Sequence, residues 1–190
     1  MKQLDLIKKS RSYRRFDASH KIDYELLRNL VKCAQFSPNA NNLQPLKFII
    51  SNTPEMNAKI FPSVHWVGGK ITDWEPEIEE RPSAYIIILG DKNISEEFGV
   101  DHGIAAQSIM LGVVESGLQG CMLGPYNPDV IYENLGLSKQ YKVLLTIAIG
   151  KPAESVEITD IIDDDTRYYR KDDVHYVPKR KLKDLIIKIE

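Results

Sequence analysis

Ser37-Pro38-Asn39-Ala40-Asn41-Asn42-Leu43-Gln44-Pro45 is a polar stretch with a proline near each end. Pro38 drives Ser37 out of the α region, so a helix running into this stretch has to stop there. The punctuation and polarity read as an ordered loop between two elements. Upstream, Asp23 is a good N-cap, and Leu26, Leu27, Leu30, Val31 and Ala34 follow at helical spacing, which predicts a helix ending near Phe36. Downstream, Lys47–Ser51 reads as a strand and Pro54–Ile60 as a short helix with proline in its first turn.

Further out, Ala84–Leu89 and Val143–Ile149 are the longest apolar runs and are of strand length, and Ala84–Gly90 and Lys142–Gly150 read as buried strands. Gly103–Gly117 is small or apolar on most faces and predicts a central helix. Asn127-Pro128-Asp129 opens another helix, which Gly136 stops. Leu4, Leu6 and Ile7 suggest a short helix at the start, and Gly117–Gly124 is a glycine-punctuated connection. Residues 62–83, with Trp66 and Trp74, are the least regular stretch. The last forty residues lack a core pattern until Leu182, Leu185 and Ile186. This mixture predicts an α+β fold.

The chain of 190 residues suits one domain, 1–190, and at that length about 70% of the unfolded surface can be buried without a disulfide or metal staple. Hydrophobic residues at 43% and charged residues at 27% exclude a disordered, collagen-like or coiled-coil chain. A net charge of −2 speaks against a general polyanion binder, and no recognition motif accompanies the basic residues, so nucleic acid is not expected. The charge is uneven, however. Basic residues cluster at Lys2–Arg15 and again from Arg167 onward, with acidic runs at Asp73–Glu80 and Glu154–Asp165 between them. Two basic ends can converge on one anionic ligand; two solvated termini are the plainer alternative. Cys33 and Cys121 form no disulfide framework, which suits a reducing compartment. Cys33 lies on the apolar face of its helix, whereas Cys121 is expected to line a pocket. With no apolar leader and no run near the ~20 residues of a membrane helix, a cytoplasmic protein with no membrane partner is expected.

The familiar catalytic motifs are missing. There is no GxGxxG after a strand and no GxxxxGK[ST]. His20, His65, His102 and His175 are scattered, with no zinc pattern, and Asp163-Asp164-Asp165 lacks the spacing of a calcium loop. Asp101-His102 at a helix start reads as capping. No nucleophile has a base beside it, so no catalytic side chain is assigned; any chemistry has to be carried by a bound group.

Three segments, read together, supply a resemblance. Arg11-Ser12-Tyr13-Arg14-Arg15-Phe16, Ser37–Pro45 and Gly117–Gly124 resemble the successive signatures of the nitroreductase family of FMN-dependent flavoproteins, and Val177-Pro178-Lys179-Arg180 resembles its basic C-terminal signature. The order and spacing match from Leu4 to about Leu185. Ser10 and Asn39 depart from the pattern, where many relatives carry Arg and Ser.

The resemblance implies a nitroreductase-like sandwich, a central mixed sheet flanked by helices, in an intertwined homodimer with FMN in clefts between subunits. It implies that Arg11 and Ser12 hold the phosphate and ribityl chain, with Arg14 near the phosphate or the N1/O2 edge of the ring. Pro38, Asn39, Ala40 and Asn42 would approach from the partner, supported by Gln44. Met122, Leu123 and Gly124 would pass beside N5 and O4, and Lys179 and Arg180 would return to the phosphate. The tail, about 151–190, would pack on the partner. The implied activity is an oxidoreductase passing hydride from NADH or NADPH through flavin N5 to a nitroaromatic or quinone. Phe61–Glu80 is a candidate lid, with dimer packing as the equal alternative. A flavin-storing or flavin-sensing protein, and a relative with other flavin chemistry such as dehalogenation or flavin fragmentation, remain open.

Overall fold

The strand Ala84–Asp91 is buried at every one of its eight residues in the computed structural model, which describes residues 2–189. Its side chains alternate between two cores. Ala84, Ile86 and Ile88 join Leu27, Leu30, Ile109 and Val113 on one face, and Tyr85, Ile87 and Leu89 join Phe16, Ile60, Trp66 and Ile131 on the other. Both faces are covered, which is why this run reads as unbroken apolar residues.

The elements in chain order are α1 (Gln3–Lys9), β1 (Phe16–Asp17), α2 (Tyr24–Gln35), β2 (Leu46–Ser51), α3 (Pro54–Ile60), β3 (Ala84–Asp91), α4 (Asp101–Glu115), β4 (Gln119–Leu123), α5 (Pro128–Leu135), β5 (Tyr141–Pro152), β6 (Ser155–Asp160), β7 (Tyr169–Lys171) and β8 (Val174–Lys179). The main sheet runs β2–β3–β5–β4, with β1 pairing the end of β5. Helices α2 and α4 cover one face, α3 and α5 the other. The α+β class is as expected.

The central sheet is not mixed: each of its ladders is antiparallel. The β3–α4–β4 crossover by itself leaves two parallel strands, but they stand one strand apart, and β5 fills the gap antiparallel to both. Parallel pairing is confined to an isolated Ser12–Gly120 bridge and to β6 with β8 in a second, three-stranded sheet.

That second sheet occupies the tail that carries no core pattern. Only β6 is largely exposed, while β7 and β8 are mostly half-buried around polar and aromatic side chains, so no apolar periodicity marks them. The glycine-punctuated connection holds β4, whose Gly120 has no room for a side chain: a Cβ would lie 2.7 Å from the Ala148 carbonyl oxygen. Cys121 does not line a pocket. It is fully buried in the second core, and that burial pushes its thiol pKa up. Cys33 is half-buried where α2 crosses α4 at Gly112. No helix of the described residues is long and apolar enough to cross a membrane.

Candidate functional site

Residues Ser10–Arg15 form a strap between α1 and β1, laid along the outer edge of β4. The Tyr13 N–H donates to the Gly120 carbonyl at 3.0 Å, and Ser12 bridges the same glycine. This close approach places Arg14 against the end of β4. There it lines an open cleft of about 400 Å³ with His65, Val67, Met122, Leu123, Gly124, Pro125 and Tyr126.

Arg14 is only 9% exposed, yet it pairs with no carboxylate among the described residues. Its Nη2 donates to the Tyr168 hydroxyl at 3.1 Å, its guanidinium lies 4.6 Å from the centre of that ring, and its Nε has no acceptor. Arg11 is half-buried. Its Nη2 donates to the Ile7 carbonyl at the end of α1, its Nε also has no acceptor, and burial lowers its pKa. Gly124 has neither a left-handed φ nor any neighbour that a Cβ would meet. Neither backbone conformation nor packing within the chain therefore accounts for glycine at the cleft wall.

The loop Pro38–Gln44 lies at the opposite edge. With Ser37, Pro45, residues of β2 and Asp101 of α4, Pro38, Asn39 and Gln44 line a second cleft of about 320 Å³. Asn41, Asn42 and Gln44 all hold positive φ, a region that asparagine tolerates better than most residues. Two side chains hold that shape. Asn39 Oδ1 accepts the Gln44 N–H at 2.9 Å, and the buried carboxylate of Asp101 accepts the Ala40 N–H at 3.0 Å. Pro38, Ala40, Asn42 and Gln44 face solvent.

The sequence motifs are thus split within one chain. Arg14 stands with Met122, Leu123 and Gly124 at the β4 edge, next to Arg11 and Ser12. The Pro38–Gln44 loop stands at the β2 edge, with β3 and β5 between. Lys179 and Arg180 belong to neither group. They line a third cleft with Asp164, Lys181, Lys183 and Asp184, where Arg180 pairs with Asp164.

The candidate lid is anchored to its own chain. Trp66 is buried and stacked on Phe61, and Trp74 lies under the guanidiniums of Arg15 and Arg170. From this segment only His65 and Val67 reach the cleft, and His65 stacks on Tyr126 at 4.5 Å. Asp101, Glu154 and Tyr168 escape sequence reasoning because each acts on a segment far away in the chain. Only the acidic residue at the start of α4 left a visible signal.

Comparison with known proteins agrees with this architecture. A model of the nitroreductase family matches residues 7–151. YdgI of Bacillus subtilis, named provisionally as an NAD(P)H nitroreductase, is 22% identical over 185 residues, covering 80% of this chain and 88% of its own. An FMN-dependent nitroreductase of Clostridium difficile superposes with a TM-score of 0.67 at 23% identity, over 85% of this chain and 92% of that one. A nitroreductase-type protein of Exiguobacterium sibiricum, solved in complex with FMN, gives 0.67 at 20% identity, over 81% and 90% of the two chains. The fold is shared with the solved structures and the family's signature covers most of the length: the chain belongs to the nitroreductase family.

Proposed function

We propose that the protein is an FMN-dependent oxidoreductase that uses NADH or NADPH to reduce a small acceptor such as a nitroaromatic or a quinone, acting as a cytoplasmic homodimer. The observation that carries this reading is Arg14: a buried guanidinium in a cleft wall whose Nε has no acceptor and which has no carboxylate within ion-pair distance among the described residues. A buried charge is costly unless it is paired, so the position calls for an anionic or electron-rich ligand.

The residues present fit a flavin mononucleotide. Arg11 and Ser12 supply a charged donor and a hydroxyl for the phosphate and ribityl chain. Arg14 would serve the phosphate or the N1/O2 edge of the ring, and at that edge a positive charge favours the reduced cofactor. Met122, Leu123 and Gly124 offer a backbone that a flat ring can approach closely, because Gly124 presents no side chain. Bound FMN would supply the redox chemistry that the side chains lack, taking up two electrons as hydride and giving them to an acceptor.

The split of the motifs between two sheet edges supports a dimer. Within one chain β3 and β5 stand between the Pro38–Gln44 loop and the Arg14 cleft, so a second copy is the natural source of a loop that reaches it. The assignment of Lys179 and Arg180 to the phosphate rests on the resemblance alone.

The test is reconstitution. Protein incubated with FMN and dialysed is expected to stay yellow, to bleach on anaerobic addition of NADH or NADPH, and to recover colour when a nitroaromatic or quinone is added. Colourless protein overturns the reading. Yellow protein that neither nicotinamide bleaches indicates storage or sensing instead. Light scattering that finds only monomer in the yellow protein removes the dimer from the proposal.

A further inference from the structure

Tyr168, which precedes β7, stands where three separate segments meet. Its hydroxyl accepts from Arg14 Nη2 at 3.1 Å while its ring lies against the same guanidinium. Its carbonyl accepts the Lys70 N–H at 2.9 Å, and its ring faces the buried His175 at 5.2 Å. The turn at Gly68-Gly69 is moulded on it. A Cβ at Gly68 would lie 2.2 Å from the Tyr168 hydroxyl, and one at Gly69 would lie 2.7 Å from its carbonyl oxygen. Both glycines also hold positive φ. The same turn follows directly on Val67, which lines the cleft together with His65 and Met122–Gly124.

We infer that Tyr168 is a positioning residue for the cofactor site: it orients the Arg14 guanidinium in the cleft and seats the 65–71 wall beside it. The inference rests on the FMN reading of that cleft and adds to it a residue from the second sheet. Arg14 has no carboxylate to fix its direction. A hydroxyl on one terminal nitrogen and a ring face under the plane are the two contacts that fix the guanidinium at the cleft wall, and its buried Nε keeps no acceptor among the described residues. Loss of the hydroxyl frees the guanidinium to rotate, so a ligand must order it on binding. Reduction of the cofactor adds negative charge near Arg14, so the reduced form is expected to lose more affinity than the oxidised one.

The experiment is a double-mutant cycle on Tyr168→Phe and Arg14→Gln, read as the dissociation constants of oxidised and reduced FMN for the intact protein. Tyr168→Phe keeps the ring, so the Gly68-Gly69 turn stays seated, and far-ultraviolet circular dichroism and urea unfolding verify that the variant folds. The expected result is an FMN affinity lowered about tenfold by loss of a hydrogen bond to a charged group, with a larger loss for the reduced form. In the Arg14→Gln background, Tyr168→Phe is expected to change neither constant by more than about twofold, because the group it orients is gone. Equal losses in both backgrounds overturn the inference and leave Tyr168 as packing. So does a Tyr168→Phe protein that binds both forms as the unaltered chain does, while the FMN reading stands. Unaltered protein that binds no FMN overturns both together.

Discussion

Arg170 Nη2 donates to Glu154 Oε2 at 3.0 Å, and the pair is the most deeply buried ion pair of the described residues, with side chains 16% and 1% exposed. The other carboxylate oxygen accepts the backbone N–H groups of Arg14 and Arg15. One acidic side chain therefore joins the second sheet to the strap that carries Arg11 and Arg14. Burial lowers the Arg170 pKa, and the Glu154 charge works against that shift. Removing the carboxylate leaves a buried guanidinium unpaired and two N–H groups without an acceptor. Glu154→Ala is expected to cost about 3–5 kcal/mol, measured by urea unfolding. Glu154→Gln retains an acceptor and is expected to lose less. A cost under about 1 kcal/mol for the alanine variant would place the pair with solvent-screened surface bridges instead.

His175 lies in the same cluster, 1% exposed, and its pKa is pushed down to about 4. Burial is the main cause, the Arg14 and Arg170 charges add to it, and Glu154 opposes it. Above the unfolded value of about 6.5 the ring is neutral in both states and titration costs nothing. As the pH falls from about 6.5 to about 4 the unfolded chain takes up a proton that the folded chain refuses, so stability drops by about 1.4 kcal/mol per unit at most. Urea midpoints measured across that interval are expected to fall with pH. His175→Gln is expected to flatten the slope; an unchanged slope would assign it to other groups.

Much of the fold is visible in the sequence because its signals are local. Pro54 in its first turn, Gly136 in the left-handed conformation and Pro38 beyond α2 each mark a helix boundary within a residue or two. The burial of β3 is written in its own composition. What escapes is set by distant contacts. β4 is disguised by Gly120, a glycine required by Ala148 on the neighbouring strand and Met110 of α4 rather than by a turn. The second sheet is attached to the strap largely through polar contacts of Glu154, Tyr168 and Arg170, which have no period. The site follows the same rule. Its motifs are legible one by one, but their division between two edges depends on strand order, which no motif encodes.

Arg11→Ala and Arg14→Ala are each expected to weaken FMN retention, since each removes a charge-assisted contact worth about 1.5–3 kcal/mol. The two should differ in stability. Arg14 is buried against Tyr168, so its truncation also opens a gap beside that ring, whereas Arg11 is half-exposed and donates only to the Ile7 carbonyl. Fluorescence titration with FMN and urea unfolding separate the effects. Full flavin occupancy in both variants after dialysis would contradict the assignment of the cleft.

Asp101 supplies the most specific prediction for the other half of the site. Its buried carboxylate accepts the Ala40 N–H across a gap of sequence that no local motif spans. The loop it holds contains three residues at positive φ, a shape that relaxes unless something fixes it. Asp101→Ala leaves the Ala40 N–H without its partner, at a cost of about 1–3 kcal/mol, and frees the loop to leave that shape. Hydrogen exchange at Ala40 and its neighbours is expected to speed up accordingly, while exchange in β3 stays as it was. If the Pro38–Gln44 loop completes the cofactor site of a second copy, the same variant should also bind FMN less tightly with the Arg14 cleft untouched. Asp101→Asn keeps a side-chain oxygen and should preserve both properties. Unchanged protection at Ala40 in the alanine variant would show that Asn39, through its bond to the Gln44 N–H, holds the loop unaided.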